Sequence, residues 1–184
     1  MSIEATALEQ EPEIVVDEIR RAARVHHLDV LTGVQGDRLV AVLGGSREPV
    51  RATRHLVAQF GPGPVVVGPV VPDLLAAGQS AAAALAGMRA VPAWPGAPRP
   101  VLADDLLPER ALAGDELARH KLVEEVYRPL QVTGTALLET VAAFLEQTSS
   151  LESTARALFV HPNTVRYRLR RVSEVTGYAP TDPR

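Results

Sequence analysis

The feature that most constrains the fold lies near the C-terminus, where two short helical patterns are separated by a turn of three residues, 160–162. The hydroxyl of Ser150 or Ser153 can cap the first helix by accepting a hydrogen bond from a free backbone N–H. Pro162 suits the first turn of the second helix, and Gly177 is a stop signal. Two short helices joined by so abrupt a corner predict a helix-turn-helix.

The second helix has two chemically different faces. Val165, Leu169 and Val172 recur at helical spacing and predict a buried stripe. The opposite face carries side chains suited to DNA, since asparagine pairs with adenine, arginine with guanine or phosphate, and threonine or tyrosine with phosphate or a thymine methyl. We expect early residues to enter the major groove and later arginines to contact phosphates. The candidate DNA-contacting residues are Asn163, Thr164, Arg166, Tyr167, Arg168, Arg170 and Arg171.

Arg168 lies beside the apolar stripe, and pairing with a glutamate is an alternative role for it. The distribution of charge along the chain supports the DNA-binding interpretation. The 184 residues have a formal net charge of −3, which argues against nucleic acid covering the whole surface. Residues 150–177, however, hold five arginines against two glutamates, a local charge of +3. A basic C-terminal unit on an acidic body is typical of a DNA-binding module, and a merely solvated basic face is the alternative.

The N-terminal part of the chain alternates helical and β-rich patterns. Their order, helix, hairpin, helix, strand and helix, indicates helices packed against a small sheet. The predicted elements are a helix over 13–27, strands over 29–34 and 38–45 joined by Gln35-Gly36-Asp37, a helix over 48–61, a strand over 64–71, a helix over 73–91, a proline-rich loop over 92–100 and a short strand or turn over 101–108.

From Ala111 onward the β-branched runs stop, and helices are predicted over 114–130, 134–148, 150–159 and 161–177. Asp115 lies where it can cap the first of them. The fold class is therefore α+β. We expect an α/β domain over 1–110, opened by a helix, and an all-α domain over 111–184.

Composition and local pattern argue against several classes of protein. The chain has no cysteine, which removes disulfides and thiolate chemistry. Its acidic N-terminal segment is not a secretory signal, and no window reaches the roughly 18 apolar residues that span a bilayer. We therefore expect a cytoplasmic protein with no membrane partner.

Candidate catalytic and metal-binding groups have simpler explanations in the sequence. The pair Asp104-Asp105 suits a turn or a cap, and His26-His27 lacks a third ligand at metal spacing. Gly44-Gly45 and the glycines of 61–63 match no phosphate-binding loop. We expect no enzymatic activity, no cofactor and no metal. Trp94, in the proline-rich loop, is either a core anchor or an interface residue.

The C-terminal segment "SLESTARALFVHPNTVRYRLRRVSEVTG" resembles the helix-turn-helix of the PucR/CdaR-type bacterial transcription regulators. The preceding "LLETVAAFLEQTSS" is similar to that family's upstream helix, with "TSS" in place of a glycine-rich turn. The segments "LDVLTGVQGDRLVAVLGG" and "VVVGPVVPDLLAAGQSAAAAL" resemble the family's degenerate cyclase-like, or GGDEF-like, domain. The match in the helix-turn-helix runs through Ala155, Leu158, His161, Asn163, Thr164, Val165, Arg166, Tyr167, Arg168 and Leu169.

The resemblance implies a transcription regulator that binds double-stranded DNA as a homodimer, with the α/β domain serving dimerisation or signal coupling. It also allows a small-molecule effector, and an opening strand supplied by "EIVVDEI" or a neighbouring segment. Members usually carry an N-terminal sensory domain, and from the position at which this sequence begins we expect it to hold none. The hairpin holds one carboxylate, Asp37, instead of a metal-binding set. The alternative function is a nucleotide- or small-molecule-sensing protein whose helical tail binds a protein partner.

Overall fold

The computed structural model describes residues 2–6, 12–36, 38–46 and 48–182. The chain forms two compact units, Met1–Ala118 (unit 1) and Arg119–Arg184 (unit 2). The division falls several residues beyond the expected boundary at Ala111, because contacts made by Arg110 and Asp115 hold that segment to unit 1.

Unit 1 is built on a sheet whose strand order is β2-β3-β1-β4-β5. The central β1 pairs antiparallel with both β3 and β4, and β4 pairs parallel with β5. The strands are β1 Ser2–Thr6, β2 Asp29–Gln35, β3 Arg38–Gly44, β4 Val65–Val67 and β5 Val101–Leu102. The helices that begin in unit 1 are α1 Pro12–Val25, α2 Pro49–Arg54, α3 Ala77–Ala90, α4 Leu107–Leu112 and α5 Glu116–Leu122.

The predicted hairpin is confirmed, with β2 and β3 paired from Asp29↔Gly44 to Gln35↔Arg38. Gly36 in its turn has φ +65°, a conformation that favours glycine, whereas Asp37 lies outside the described residues. The opening strand of the sheet is β1. The alternative "EIVVDEI" is wrong because that segment belongs to α1, whose three-and-four spacing buries one side.

Helix α1 packs on β3 through a buried stripe of residues at steps of three and four. Val15, Ile19 and Ala23 are buried together with alternate residues of β3. Ile14, beside Val15, is 49% exposed and lies at the margin of the stripe. Burial of this stripe on the sheet forms the larger core of unit 1.

The helix predicted over 48–61 is interrupted. Helix α2 ends at Arg54, and a 3₁₀ turn at Val57–Gln59 follows. The guanidinium of Arg99 donates hydrogen bonds to the carbonyls of Val57, Phe60, Gly61 and Gly63. These acceptors are bound by a side chain about 40 positions along the chain, a contact that local periodicity does not reveal.

Two other boundaries differ from the prediction. Strand β4 ends at Val67, before Gly68 and Pro69, because proline cannot donate to the ladder. Helix α3 begins at Ala77 instead of 73, since the Asp73 carboxylate accepts a hydrogen bond from the Ala76 N–H in a preceding turn. The segment 101–108 supplies β5, a turn at 103–106 that includes Asp104 and Asp105, and the start of α4.

Trp94 is a core anchor in this structure. Its half-buried ring packs against a cluster formed by residues of α3, β4 and β5, including Val66, Met88 and Val101. Because Trp94 is the single tryptophan of the chain, its fluorescence reports the folding of unit 1.

The buried guanidinium of Arg110 joins the turn after β5 to the start of α5. Arg110 is 4% exposed, and it donates to the Ala103 carbonyl and the Asp115 carboxylate, both at 2.9 Å. Asp115 also caps α5 by accepting from Leu117 and Ala118 N–H groups, as predicted. Burial raises the pKa of Asp115, but the Arg110 hydrogen bond and charge and the two N–H donors outweigh it, so that pKa lies below its ordinary value. The ion pair is therefore intact at neutral pH.

Unit 2 is helical, as expected. A π-helical segment, Val123–Tyr127, joins α5 to the next helix, so the predicted helix over 114–130 continues to Thr133. The remaining helices are α6 Arg128–Thr133, α7 Thr135–Glu146, α8 Leu151–Ala157 and α9 Pro162–Thr176. In the described ranges, no helix combines the length and apolarity needed to cross a bilayer.

Candidate nucleic-acid interface

The first helix of the predicted helix-turn-helix, α8, is capped as its sequence indicated. Ser150 is the N-cap, and its hydroxyl accepts a hydrogen bond from the Ser153 N–H at 3.3 Å. Glu152 lies in the first turn, where the helix dipole favours an anion. Of the two serines considered, Ser150 is thus the cap.

The second helix, α9, begins at the predicted corner. His161 is its N-cap, and the imidazole Nδ1 accepts from the Asn163 N–H at 3.1 Å. Pro162 occupies the first turn, and Gly177 ends the helix with φ +78°. The sequence therefore correctly located both ends of the helix.

The buried stripe of α9 is confirmed. Val165, Leu169 and Val172 are each no more than 3% exposed. Val165 and Leu169 pack with Phe144 and Ala155, and Val172 belongs to a second cluster with residues of α6 and α7. This packing determines which face of α9 points away from the core of unit 2.

The outward face of α9 carries the predicted base-reading side chains at its N-terminal end. Asn163, Arg166 and Tyr167 are exposed, Tyr167 by 69%, and Thr164 is half-buried. The Arg166 guanidinium donates to the Asn163 Oδ1 at 2.6 Å, so these side chains are held together. Their remaining donors and acceptors are available to a ligand, because both side chains are exposed.

Arg168 lies apart from that face. It is half-buried, and its guanidinium donates to the Thr140 hydroxyl of α7 at 3.2 Å, where the sequence suggested a glutamate or DNA. Thr140 itself is fully buried and donates to the Ala136 carbonyl. In this structure Arg168 connects α9 to α7.

Arg170 and Arg171 form the basic part of the face toward the C-terminus. Arg171 donates to the Glu174 carboxylate at 2.9 Å, and Arg170 lies 3.3 Å from its other oxygen. The hydrogen bond from Arg171 and the charges of both arginines hold the pKa of Glu174 below its ordinary range. Glu174 therefore stays ionised at neutral pH and pairs with both arginines.

The corners between the helices contain features that the sequence analysis missed. Helix α8 ends at Ala157, so Phe159, predicted inside it, lies outside with φ +54°. Thr148 and Ser149 also have left-handed φ values, +51° and +60°, and make the turn after α7 without glycine. For Thr148 and Ser149, the "TSS" that stands in place of a glycine-rich turn was the available signal.

The histidines of unit 1 show a contact that the sequence did not predict. The rings of His26 and His55 stack with centroids 3.8 Å apart. Within the described ranges, no group of three His, Asp or Glu side chains is arranged to hold a metal ion.

Comparison with known proteins agrees with this architecture. The model of the PucR C-terminal helix-turn-helix domain matches residues 137–184, and that of the GGDEF-like domain matches residues 2–90. The chain belongs to the PucR/CdaR-type bacterial transcription regulators. Its GGDEF-like match covers β1 to the end of α3, and its helix-turn-helix match covers α8 and α9 with most of α7.

Individual relatives of this PucR/CdaR-type chain span a range of similarity. An uncharacterized protein of Mycobacterium tuberculosis is 49% identical over 168 residues, or 91% of this chain and 41% of that protein. The carbohydrate diacid regulator of Escherichia coli is 38% identical over 68 residues, or 34% of this chain and 18% of that protein. The chain thus spans about two fifths of the length of the mycobacterial relatives.

A solved structure supports the same conclusion for the fold. The crystal structure of a regulator of polyketide synthase expression from Bifidobacterium adolescentis matches this PucR/CdaR-type chain with a TM-score of 0.84 at 36% identity. The match covers 100% of this chain and 74% of that one.

Proposed function

We propose that this chain is the DNA-binding part of a transcription regulator and that α9 reads the major groove of double-stranded DNA. The observation that carries the proposal is the exposed N-terminal end of α9, where Asn163, Arg166 and Tyr167 stand on a helix whose opposite face is buried. Recognition helices insert this end deepest into the groove. The regulator names of two relatives support the same function.

The face of α9 divides by chemistry into two parts. Asn163 and Arg166 offer the amide and guanidinium groups that pair with adenine and guanine edges, and Thr164 and Tyr167 offer hydroxyls and apolar carbon. Arg170 and Arg171 lie further along, where a helix leaves the groove and passes the phosphates. Arg168, bound to Thr140, orients α9 and is assigned no base contact.

We also propose that the regulator acts as a homodimer. One small helix-turn-helix contacts few base pairs, so useful specificity requires two copies about one helical turn apart on DNA. Unit 1 is the proposed contact surface between copies, or the unit that couples a small-molecule signal to DNA binding.

The two parts of the α9 face should respond differently to mutation. Arg166→Ala is expected to cost about 1–3 kcal/mol on a selected duplex and to relax the base preference at one position. Arg170→Ala is expected to weaken binding to selected and random duplexes by the same factor and to reduce the salt dependence, because phosphate contacts carry no sequence information. Fluorescence anisotropy at several salt concentrations measures both effects.

A matched control is Arg51→Ala, which removes an exposed arginine from α2 in unit 1 and changes the net charge equally. This variant should bind both duplexes like the wild type. If Arg166→Ala and Arg170→Ala show equal losses on selected and random DNA, the assignment of bases to one end of α9 and phosphates to the other is wrong.

A further inference from the structure

Phe159, in the turn between α8 and α9, combines two features that destabilise a folded protein. Phe159 has φ +54°. This left-handed conformation is unfavourable in free energy for any residue that carries a Cβ atom. Its ring is 97% exposed, so the side chain gains nothing from burial in unit 2. Folding of this unit does not account for a phenylalanine here.

The backbone around Phe159 shows which residue the turn itself favours. The Val160 N–H donates to the Ala155 carbonyl at 2.9 Å, and the Phe159 N–H donates to the Arg156 carbonyl at 3.2 Å. This pair of bonds is the Schellman ending of a helix, whose left-handed position is usually glycine and sometimes asparagine. Val160 turns inward and packs on the core of unit 2, whereas the phenylalanine ring points into solvent.

The surroundings of Phe159 indicate the kind of partner that its ring meets. The residue lies two positions before His161, the N-cap of α9, at the helix end that carries Asn163. Between Glu152 and Glu174 the chain contains no acidic residue, while Arg156 is exposed nearby. An exposed aromatic ring in a cationic segment suits a partner that is anionic and also presents apolar carbon.

Resting on the proposed function, we propose that Phe159 is a DNA-contact residue of the turn, whose ring packs on apolar carbon of the duplex beside the bases read by α9. Two parts of DNA present such carbon, the thymine C5-methyl in the major groove and the deoxyribose of the backbone. Left-handed backbone held at a ligand site is a recognised form of stored strain. The stability lost at Phe159 is offset when DNA is bound.

The test compares folding and DNA binding in the same full-length variants. Phe159→Asn and Phe159→Gly relieve the left-handed backbone, so their urea midpoints for unit 2 should equal or exceed that of the wild type. Far-UV circular dichroism follows the helices of both units, and Trp94 emission identifies the part of the transition that belongs to unit 1. Anisotropy should show about tenfold weaker binding of both variants to a selected duplex, since a ring contact of this size is lost.

Two further variants separate this contact from a general effect of surface carbon. Phe159→Tyr keeps the ring and should bind within about twofold of the wild type. Leu145→Asn removes a side chain that is 60% exposed on α7, and it should leave DNA affinity unchanged.

A duplex in which uracil replaces thymine distinguishes the two sources of carbon. If the Phe159→Asn deficit disappears on that duplex, the ring meets the thymine methyl, and if it persists, the ring meets deoxyribose.

Failure of the Phe159 contact and failure of the proposed function give different results. If Phe159→Asn binds the selected duplex as tightly as the wild type, or if it lowers the midpoint of unit 2, the DNA contact is refuted while the proposed function stands. If the wild type binds no duplex better than the Asn163→Ala/Arg166→Ala variant does, the proposed function fails and this inference fails with it.

Discussion

Replacing Gly68 with alanine is expected to cost unit 1 about 3 kcal/mol or more, a large share of the stability of a unit of this size. Gly68 follows β4 and lies against Ser80 of α3. A methyl group built on it overlaps the carbonyl oxygen and hydroxyl of Ser80 and lies 2.9 Å from the Ser80 carbonyl carbon. Ser80 is fully buried, and backbone atoms cannot be relieved by a change of rotamer, so α3 must move away from the sheet.

Trp94 emission during urea unfolding of the full chain measures this effect, because its ring packs on the core formed by α3, β4 and β5. The matched control is Gly78→Ala in the same helix, where an added methyl meets nothing within 4 Å. That variant should be within about 1 kcal/mol of the wild type, or slightly more stable. Equal midpoints for the two variants would show that α3 does not approach Gly68 as closely as described.

Replacing Leu169 with alanine is expected to remove about 3 kcal/mol from unit 2, within the 2–5 kcal/mol range for buried leucines. Leu169 is 3% exposed and packs in one cluster with Phe144, Ala155 and Val165, on the side of α9 opposite the proposed DNA-reading face. A unit of this size is stable by roughly 3–10 kcal/mol, so this loss is a large share of the total. DNA binding should weaken in parallel because the face loses its support.

Amide hydrogen exchange of the full chain localises the effect of Leu169→Ala. Protection should fall throughout α7, α8 and α9, while unit 1 and its Trp94 emission stay unchanged. Leu145→Ala, which truncates an exposed leucine of α7, is the matched control and should change stability by no more than about 0.5 kcal/mol. Wild-type protection of α9 in the Leu169→Ala variant would contradict the described core.

The helix-turn-helix could be predicted from the sequence because its signals are local. Caps such as Ser150, a proline at the start of α9, Gly177 at its end and the spacing of Val165, Leu169 and Val172 all act within one or two helical turns. The resemblance of residues 150–177 to the PucR/CdaR-type regulators predicted the same helix-turn-helix. The position of Phe159 was mispredicted because the helical pattern was continued to residue 159, whereas α8 ends at Ala157 and the turn places Phe159 in solvent.

The features that could not be predicted depend on contacts between distant parts of the chain. The interruption of the helix after Arg54 involves the hydrogen bonds from Arg99, and the shift of the unit boundary involves Arg110. The stack of His26 on His55 and the contact of Arg168 with Thr140 also join residues far apart in sequence. Periodicity and capping rules describe neighbours along one element, so they carry no information on such pairs.

Recovery of genomic fragments bound by the purified protein would show whether α9 reads DNA sequence. Sequencing those fragments for the wild type and for the Asn163→Ala/Arg166→Ala variant compares two proteins that differ only on the exposed face. We expect one shared motif with two half-sites about one helical turn apart in the wild type, and the loss of that motif in the variant. Fragments without a motif, or equal enrichment by both proteins, would contradict the proposal that α9 reads DNA sequence.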